Sequence, residues 1–473
     1  MWDQKTVNLA FDFGASSGRL MMSSYDGDKI VLEEVHRFPN EPVYLNDNYY
    51  WDFLRLFHEM KTGLKKAAAL NVKISSIGID TWGVDYGLLN EEDELIGNPF
   101  NYRDNRTDGI LEKIESTVPY SEIYNITGIQ HLSFNTLYQL YHDVHYRSSM
   151  MSNAKTLLFI PDLFNFFLTG NKFSEYTIAS TSQMLDCKEL TWSFDLLNML
   201  KIPTDVLQPI IHPGEIYGYL QDSVAKEVGL EAGIPIVAIG SHDTASAVAG
   251  IPLKDSNQVY LSCGTWSLLG MELDEPIINE TALKYNFTNE GGVSNRIRFL
   301  KNINGLWLIQ QLKKNWQHLN IDYPQISKEA LEAVKNHFVI DTNDKRFLAP
   351  LNMAEEIQKY CKETNQGVPE TVGEIARAAY NGLVNQYKQT VEQLEEVTGV
   401  SVDGIHMVGG GIQDEFLCQL TANVLNKKVT AGPIESSVFG NVILQLMAID
   451  KIKSLEEGRD IIAKSFEIKE YTP

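Results

Sequence analysis

Twice in this chain, about half its length apart, an apolar strand runs into a turn of small polar residues and out again into a second apolar run. The first copy is residues 7–13, then Gly14-Ala-Ser-Ser-Gly18-Arg19, then residues 20–22. The second is residues 259–261, then Ser262-Cys-Gly264-Thr265-Trp-Ser267, then residues 268–271. Each reads as a β-hairpin, because Gly, Ser and Thr allow a tight backbone and leave N–H groups open. Repetition at this spacing points to an internal duplication, hence to two related domains. Length agrees, since 473 residues exceed what one core organises at roughly 100–200 residues per domain.

The rest of the chain alternates strand and helix patterns. Residues 74–80, 157–160 and 405–408 are apolar strand runs. Ile375, Ala379, Leu383, Tyr387, Val391 and Leu394 recur at three- and four-residue steps and predict a long helix that Gly399 closes. Phe416, Leu417, Leu420 and Val424 predict another over 414–426. No Pro/Gly/Ser-rich linker divides the two halves. The best boundary is residues 250–257, where Pro252 and Asp255 break the pattern, giving domains 1–249 and 250–473.

Charge narrows the partners. With 40 basic against 62 acidic residues the net charge is −22, so nucleic acid and anionic membrane are excluded as partners held by the overall field. Any phosphate must be held by local groups. The opening Met1-Trp-Asp-Gln-Lys-Thr6 lacks a basic stretch followed by an apolar one, and no window reaches 18 apolar residues, so a soluble cytoplasmic protein is expected. Cys187, Cys263, Cys361 and Cys418 lie far apart with no Cys-x-x-Cys spacing and are expected as free thiols.

Several motifs carry chemistry. Asp12 stands where the first strand meets the Gly14 to Gly18 turn, whose N–H groups can converge on an anion, and its carboxylate suits Mg²⁺. This is neither a Walker A loop nor a dinucleotide fingerprint, since the required lysine and the Gly-x-Gly-x-x-Gly spacing are missing. Gly409-Gly-Gly411 either lets a flat ring lie against the backbone or simply makes a tight turn. Gly78-Ile-Asp80-Thr-Trp82-Gly83-Val-Asp85 mixes carboxylates, an indole and a glycine, as a sugar wall does, although Trp82 could equally be core. Tyr102-Arg103-Asp104-Asn-Arg106 is a surface ion cluster or part of the same wall. At Ser241-His242-Asp243-Thr244 the apolar run 234–240 hands over to a helical pattern, Ala245, Ala247, Ala249. A strand-to-helix junction opens at the mouth of an α/β sheet, where ligands bind. The competing account makes Ser241 a helix cap and Asp243 a dipole partner worth about 0.3–1 kcal/mol. Zinc-protease, nucleophile-elbow and protein-kinase signatures are all missing.

In chain order, Asp12-Phe-Gly-Ala-Ser-Ser-Gly-Arg19, Ser76-Ile-Gly-Ile-Asp-Thr-Trp-Gly-Val-Asp85, Tyr102-Arg-Asp-Asn-Arg-Thr107, Phe134-Asn-Thr-Leu-Tyr-Gln-Leu140, Ser241-His-Asp-Thr-Ala-Ser-Ala-Val248, Ser262-Cys-Gly-Thr-Trp-Ser-Leu268, Thr288-Asn-Glu-Gly-Gly292, Lys301-Asn-Ile-Asn-Gly-Leu-Trp307 and Val408-Gly-Gly-Gly411 resemble the FGGY carbohydrate kinases of the actin and hexokinase superfamily. The resemblance implies an α/β protein of two actin-like (ribonuclease H-like) ATPase domains, each a mixed five-stranded sheet flanked by helices, with an interdomain cleft. Residues 1–249 would bind sugar and 250–473 nucleotide. Asp243 matches the family's catalytic base. Gly83, His242, Asp243, Thr244 and Asn302 match sugar contacts, and Ala15, Ser16, Ser17, Gly18, Arg19, Thr265, Gln310 and Gly410 match nucleotide contacts. Mg²⁺ would sit near Asp12 through water. Where many FGGY kinases carry a lysine, this chain has Tyr138-Gln139, which sets it apart from the glycerol and xylulose kinases. The implied activity is ATP-dependent phosphorylation of the C1 hydroxyl of a ketose, L-rhamnulose first and L-fuculose as the alternative. A sensor without catalysis, or an ATPase switch, is the rival outside the enzyme class. Retention of Asp12, Asp243 and both hairpins argues against it. The only partner implied is the small-molecule ketose, without nucleic acid or membrane, and monomer and homodimer stay equally open.

Overall fold

The computed structural model describes residues 5–253, 257–333, 337–348 and 350–473. Residues 254–256 of the expected boundary stretch therefore lie outside the described residues. Two compact units are present. The first takes the described residues of Met1–Pro252 together with Glu272–Phe299 and Ser436–Ser465, and the second takes those of Leu253–Met271 with Leu300–Glu435 and Phe466–Pro473.

In the first unit Thr6–Phe13 is buried almost throughout, because it is central in its sheet and apolar on both faces. It pairs antiparallel with Ser17–Tyr25, with Asp12 opposite Arg19, and parallel with Lys73–Thr81, with Asp12 level with Asp80. The sheet order is Ile216–Tyr219, Pro235–Val237, Lys73–Thr81, Thr6–Phe13, Ser17–Tyr25, Ile30–Pro39. It has six strands where five were expected, because Ile216–Tyr219 adds antiparallel at the edge of Pro235–Val237. Helix Phe53–Ala68 buries Phe53, Leu56, Met60 and Leu64 at helical spacing, with Asp52 accepting from the Arg55 N–H as its cap. Phe11, Phe13, Phe38, Trp51, Phe53 and Phe164 join one core, each contributing about 1.5–3 kcal/mol of apolar burial.

The junction differs from the strand expected over 234–240. The ladder stops at Val237, since only Pro235–Val237 is strand. Beyond it the chain is held by the Thr81 N–H donating to the Ser241 carbonyl at 2.9 Å, and helix Asp243–Ala249 begins. His242, not Ser241, is the N-cap residue, and no side chain caps the helix. Helix Ser436–Ala448 grips this short helix backbone to backbone. A Cβ on Gly440 would lie 1.8 Å from the Ser246 carbonyl oxygen, and one on Gly250 2.1 Å from that of Ser436. The Ser436 hydroxyl donates to the Ala247 carbonyl at 2.6 Å, and Arg459 donates to that of Val248 at 3.0 Å.

The second unit repeats the plan. The seven-stranded sheet that carries its strands runs Thr288–Gly291, Ile297–Asn304, Trp266–Leu273, Gln258–Cys263, Gly404–Val408, Lys428–Ala431, Lys469–Tyr471, the last added antiparallel. A strand at each edge extends the five expected. Gln258–Cys263 makes a hairpin with Trp266–Leu273 and runs parallel to Gly404–Val408. The long helix is Val372–Thr398, started by a Thr371–Glu374 capping box and ended by Gly399 at φ 70°. Among the described residues no helix is long and apolar enough to cross a membrane. All four cysteines are buried and free.

Candidate active site

Three carboxylates of the first unit gather where strands end. Asp12 closes onto its own hairpin: Arg19 donates to Oδ2 from Nη2 at 2.8 Å and Nε at 3.2 Å, and the Ser437 hydroxyl donates to the same oxygen at 2.8 Å. Asp80, on the neighbouring strand, is completely buried and accepts from Asn441 Nδ2 at 2.6 Å. Burial pushes the Asp80 carboxyl well above its ordinary range, and the charge of Asp12 adds to this while Asn441 opposes it. The hairpin turn is fixed from outside itself, because Asn40 donates from its side chain to the Gly14 carbonyl at 2.8 Å and from its backbone to that of Ser16 at 3.0 Å. Ala15, Ser16, Ser17, Gly18 and Arg19 are thus held at the Asp12 strand end.

Asp243 opens its helix with 34 % of the side chain exposed, enough for a substrate to reach it. The Thr244 hydroxyl donates to its Oδ1 at 3.0 Å, and His242 Nε2 stands 3.5 Å from the same oxygen. Desolvation where the carboxyl packs into the protein raises the Asp243 pKa, with His242 opposing and Asp12 adding to the rise. Gly83 belongs to this group, since a Cβ there would lie 3.5 Å from His242 Nε2 and 3.3 Å from Thr181 Oγ1. The structure therefore brings Gly83, His242, Asp243 and Thr244 together.

Beneath them lies Glu175, which sequence reading did not single out. Its Oε2 accepts from the Ser241 N–H at 3.1 Å and the Thr177 hydroxyl at 2.6 Å, and that hydroxyl oxygen accepts from the His242 N–H at 3.2 Å. Burial pushes Glu175 up to about 7 despite these donors. Asp85 holds the wall beside Gly83. It accepts from the indoles of Trp51 at 2.6 Å and Trp82 at 3.1 Å, and burial raises it to about 6. Asp104 and Arg106 are buried rather than a surface ion cluster. Gln139 joins them, donating to Asp85 Oδ1 at 3.0 Å and accepting from Arg106 Nη2 at 2.6 Å.

The other nucleotide-side candidates, Thr265, Gln310 and Gly410, belong to the second unit. Thr265 lies in the hairpin turn with its hydroxyl 3.4 Å from Gln310 Oε1. Gly409 has φ 84°, a Cβ on Gly411 would lie 2.4 Å from Cys263 Sγ, and a Cβ on Gly410 meets open space. The triple glycine is thus both a tight turn and, at Gly410, an open backbone face. Asn302 is half-buried on strand Ile297–Asn304 and belongs to the second unit.

Sequence reading also missed Ser437 and Asn441. With Gln445 they form a polar stripe at four-residue steps on the otherwise apolar helix Ser436–Ala448, which is the signal that could have found them. For Mg²⁺ the donor chemistry fits, as the carboxylates are hard oxygen ligands and Arg19 engages only Oδ2 of Asp12. Among the described residues no group of three His, Cys, Asp or Glu side chains is placed to hold a metal ion by itself.

Residues 7–250 match the N-terminal domain and residues 259–449 the C-terminal domain of the FGGY family of carbohydrate kinases. The chain belongs to this family. This FGGY kinase is 41 % identical over 466 residues to a rhamnulokinase of Oceanobacillus iheyensis, covering 98 % of both chains. It is 39 % identical over 469 residues to a rhamnulokinase of Bacillus subtilis, covering 99 % of this chain and 95 % of that one. Among solved structures it superposes on the ligand-bound xylulose kinase of Lactobacillus acidophilus with TM-score 0.82 at 18 % identity, covering 99 % of this chain and 94 % of that one. The Plasmodium falciparum glycerol kinase with ADP gives TM-score 0.80 at 16 % identity, covering 99 % and 94 %. These neighbours share the expected two-domain actin-like fold of the FGGY kinases.

Proposed function

We propose that this FGGY kinase transfers the γ-phosphoryl group of ATP to the C1 hydroxyl of L-rhamnulose. The observation that carries this reading is identity of about 40 % over nearly the full length to curated rhamnulokinases. Support comes from a reachable carboxylate, Asp243, packed with Gly83, His242 and Thr244 at one junction. Residues 1–249 take the sugar and 250–473 the nucleotide.

Asp243 accepts the C1 hydroxyl proton. A carboxylate is a weak base toward an alcohol, so the proton moves late, as the oxygen bonds to phosphorus and becomes acidic. The raised Asp243 pKa strengthens that acceptance. His242, Thr244, Gly83 and Asn302 orient the sugar. Ala15, Ser16, Ser17, Gly18 and Arg19 supply donors to the phosphates, and Thr265, Gln310 and Gly410 seat the rest of the nucleotide. Asp12 would hold Mg²⁺, which would supply positive charge to offset that of the phosphates. Phosphoryl transfer asks mainly for such positioning and charge stabilisation.

ADP release, measured by a coupled assay with ATP and a ketose panel, tests the assignment. L-Rhamnulose is expected to give the highest kcat/KM. Higher kcat/KM with L-fuculose would reassign the substrate, and no ketose-dependent ADP release would remove the kinase reading.

A further inference from the structure

His242 stands between two carboxylates, with Asp243 Oδ1 3.5 Å from Nε2 and Glu290 Oε2 3.3 Å from Nδ1. What such a ring offers a sugar depends on its tautomer, because a neutral imidazole donates from one nitrogen and accepts at the other. The nearest group able to decide is Arg298. Its side chain is wholly buried, its Nε donates to the Gly291 carbonyl at 2.8 Å, and its Nη2 lies 3.1 Å from His242 Nδ1 and 3.1 Å from Glu290 Oε2. A guanidinium has donors and no acceptor. Of the two groups that reach Nδ1, Arg298 Nη2 stands in hydrogen-bonding geometry, whereas Glu290 Oε2 at 3.3 Å makes an ion-pair contact, so Nδ1 accepts from the guanidinium and the ring hydrogen lies on Nε2, on the Asp243 side. Glu290, on strand Thr288–Gly291, neutralises the buried guanidinium and keeps its fork in place.

We propose that Arg298, braced by Glu290, is a positioning residue that fixes His242 as the Nε2–H tautomer, so that the site offers the sugar a hydrogen-bond donor beside the Asp243 carboxylate. The division of labour is then set before substrate arrives. His242 meets a sugar oxygen acting as acceptor, and Asp243 keeps its lone pairs for the hydroxyl that gives up its proton. Control of a functional histidine through its second nitrogen follows the logic of histidines in metal sites, where the distal partner selects tautomer and orientation. The sugar-facing role rests on the proposed kinase reading, whereas the tautomer itself does not.

The decisive measurement is the ring ¹⁵N spectrum of the full chain, with the His242 signals assigned by their loss in His242→Gln. An unprotonated Nδ1 and a protonated Nε2 are expected in the unsubstituted protein, with or without any activity. Protonated Nδ1 would overturn the proposal, and this reading uses a variant only to assign the signals. In Arg298→Met the signals are expected to move toward a tautomer mixture, with kcat/KM for the sugar down about 10–100-fold and KM for ATP unchanged. Arg298→Lys, a donor without the planar fork, is expected to recover part of the loss. A folded Arg298→Met protein that keeps His242 wholly Nε2–H would also overturn it. If the ¹⁵N result holds while no ketose is phosphorylated, the kinase reading fails and the tautomer assignment stands.

Discussion

At Gln139 one amide does two jobs that a lysine cannot. Its oxygen accepts from Arg106 at 2.6 Å and its nitrogen donates to Asp85 at 3.0 Å. An ammonium is donor-only, and beside the buried Arg106 it would add like charge, so a lysine could not take over both contacts. Asp243 is the residue on which turnover is expected to depend. Asp243→Asn should bind sugar and ATP nearly as well and lose roughly 10²–10⁴-fold in kcat, as removal of a general base does. Steady-state kinetics with binding measured separately checks this, and near-normal kcat would remove Asp243 as the base. Gly83, His242, Asp243 and Thr244 were legible in the sequence because they lie in contiguous motifs at strand ends. Glu175, Asn40 and Arg298 were not, since each acts on the site from a distant segment through one or two hydrogen bonds that leave no local pattern.

Among the elements, the seven-residue helix Asp243–Ala249 is too short to be stable alone and owes its place to helix Ser436–Ala448. Their backbones approach closely enough that Gly440 tolerates no side chain. Gly440→Ala should therefore displace the helix carrying Asp243 and cost about 1–3 kcal/mol, despite the better helix propensity of alanine. Denaturant unfolding and kcat measured on the same variant check it, and unchanged values in both would show that the helices can slide apart freely. The two hairpins and the long helix Val372–Thr398 were readable because turn chemistry, period and caps agreed there. The apolar run 234–240 overstated its strand, because burial makes a run apolar whether or not a ladder continues. The edge strand Ile216–Tyr219 escaped notice for the opposite reason, being short with a glycine inside it.

The whole molecule carries buried acids whose protons matter to stability. Glu175 rises from 4.5 to about 7 and Asp85 from 3.8 to about 6, so the folded state holds these protons more tightly than the unfolded chain. Their contribution is complete below the lower value of each pair and is lost as pH rises through the higher one. For Glu175 this is about 3 kcal/mol. Thermal stability should accordingly fall between pH 5 and pH 8, and Glu175→Gln should flatten part of that fall whatever it does to the absolute value. Calorimetry across this range decides it, and an undiminished slope in Glu175→Gln would assign the effect to other groups.

The first unit is threaded from three stretches of chain, the last being Ser436–Ser465. A ribosome must therefore pass Ala448 before the helix that grips Asp243–Ala249 exists, and until then the nascent first unit waits with that groove open. Expression of residues 1–250 alone should give a chain that is protease-sensitive or captured by chaperones, and limited proteolysis would show it. Adding Ser436–Ser465 as a separate peptide is expected to restore protection, which makes synthesis of that distant segment the step that arms the site.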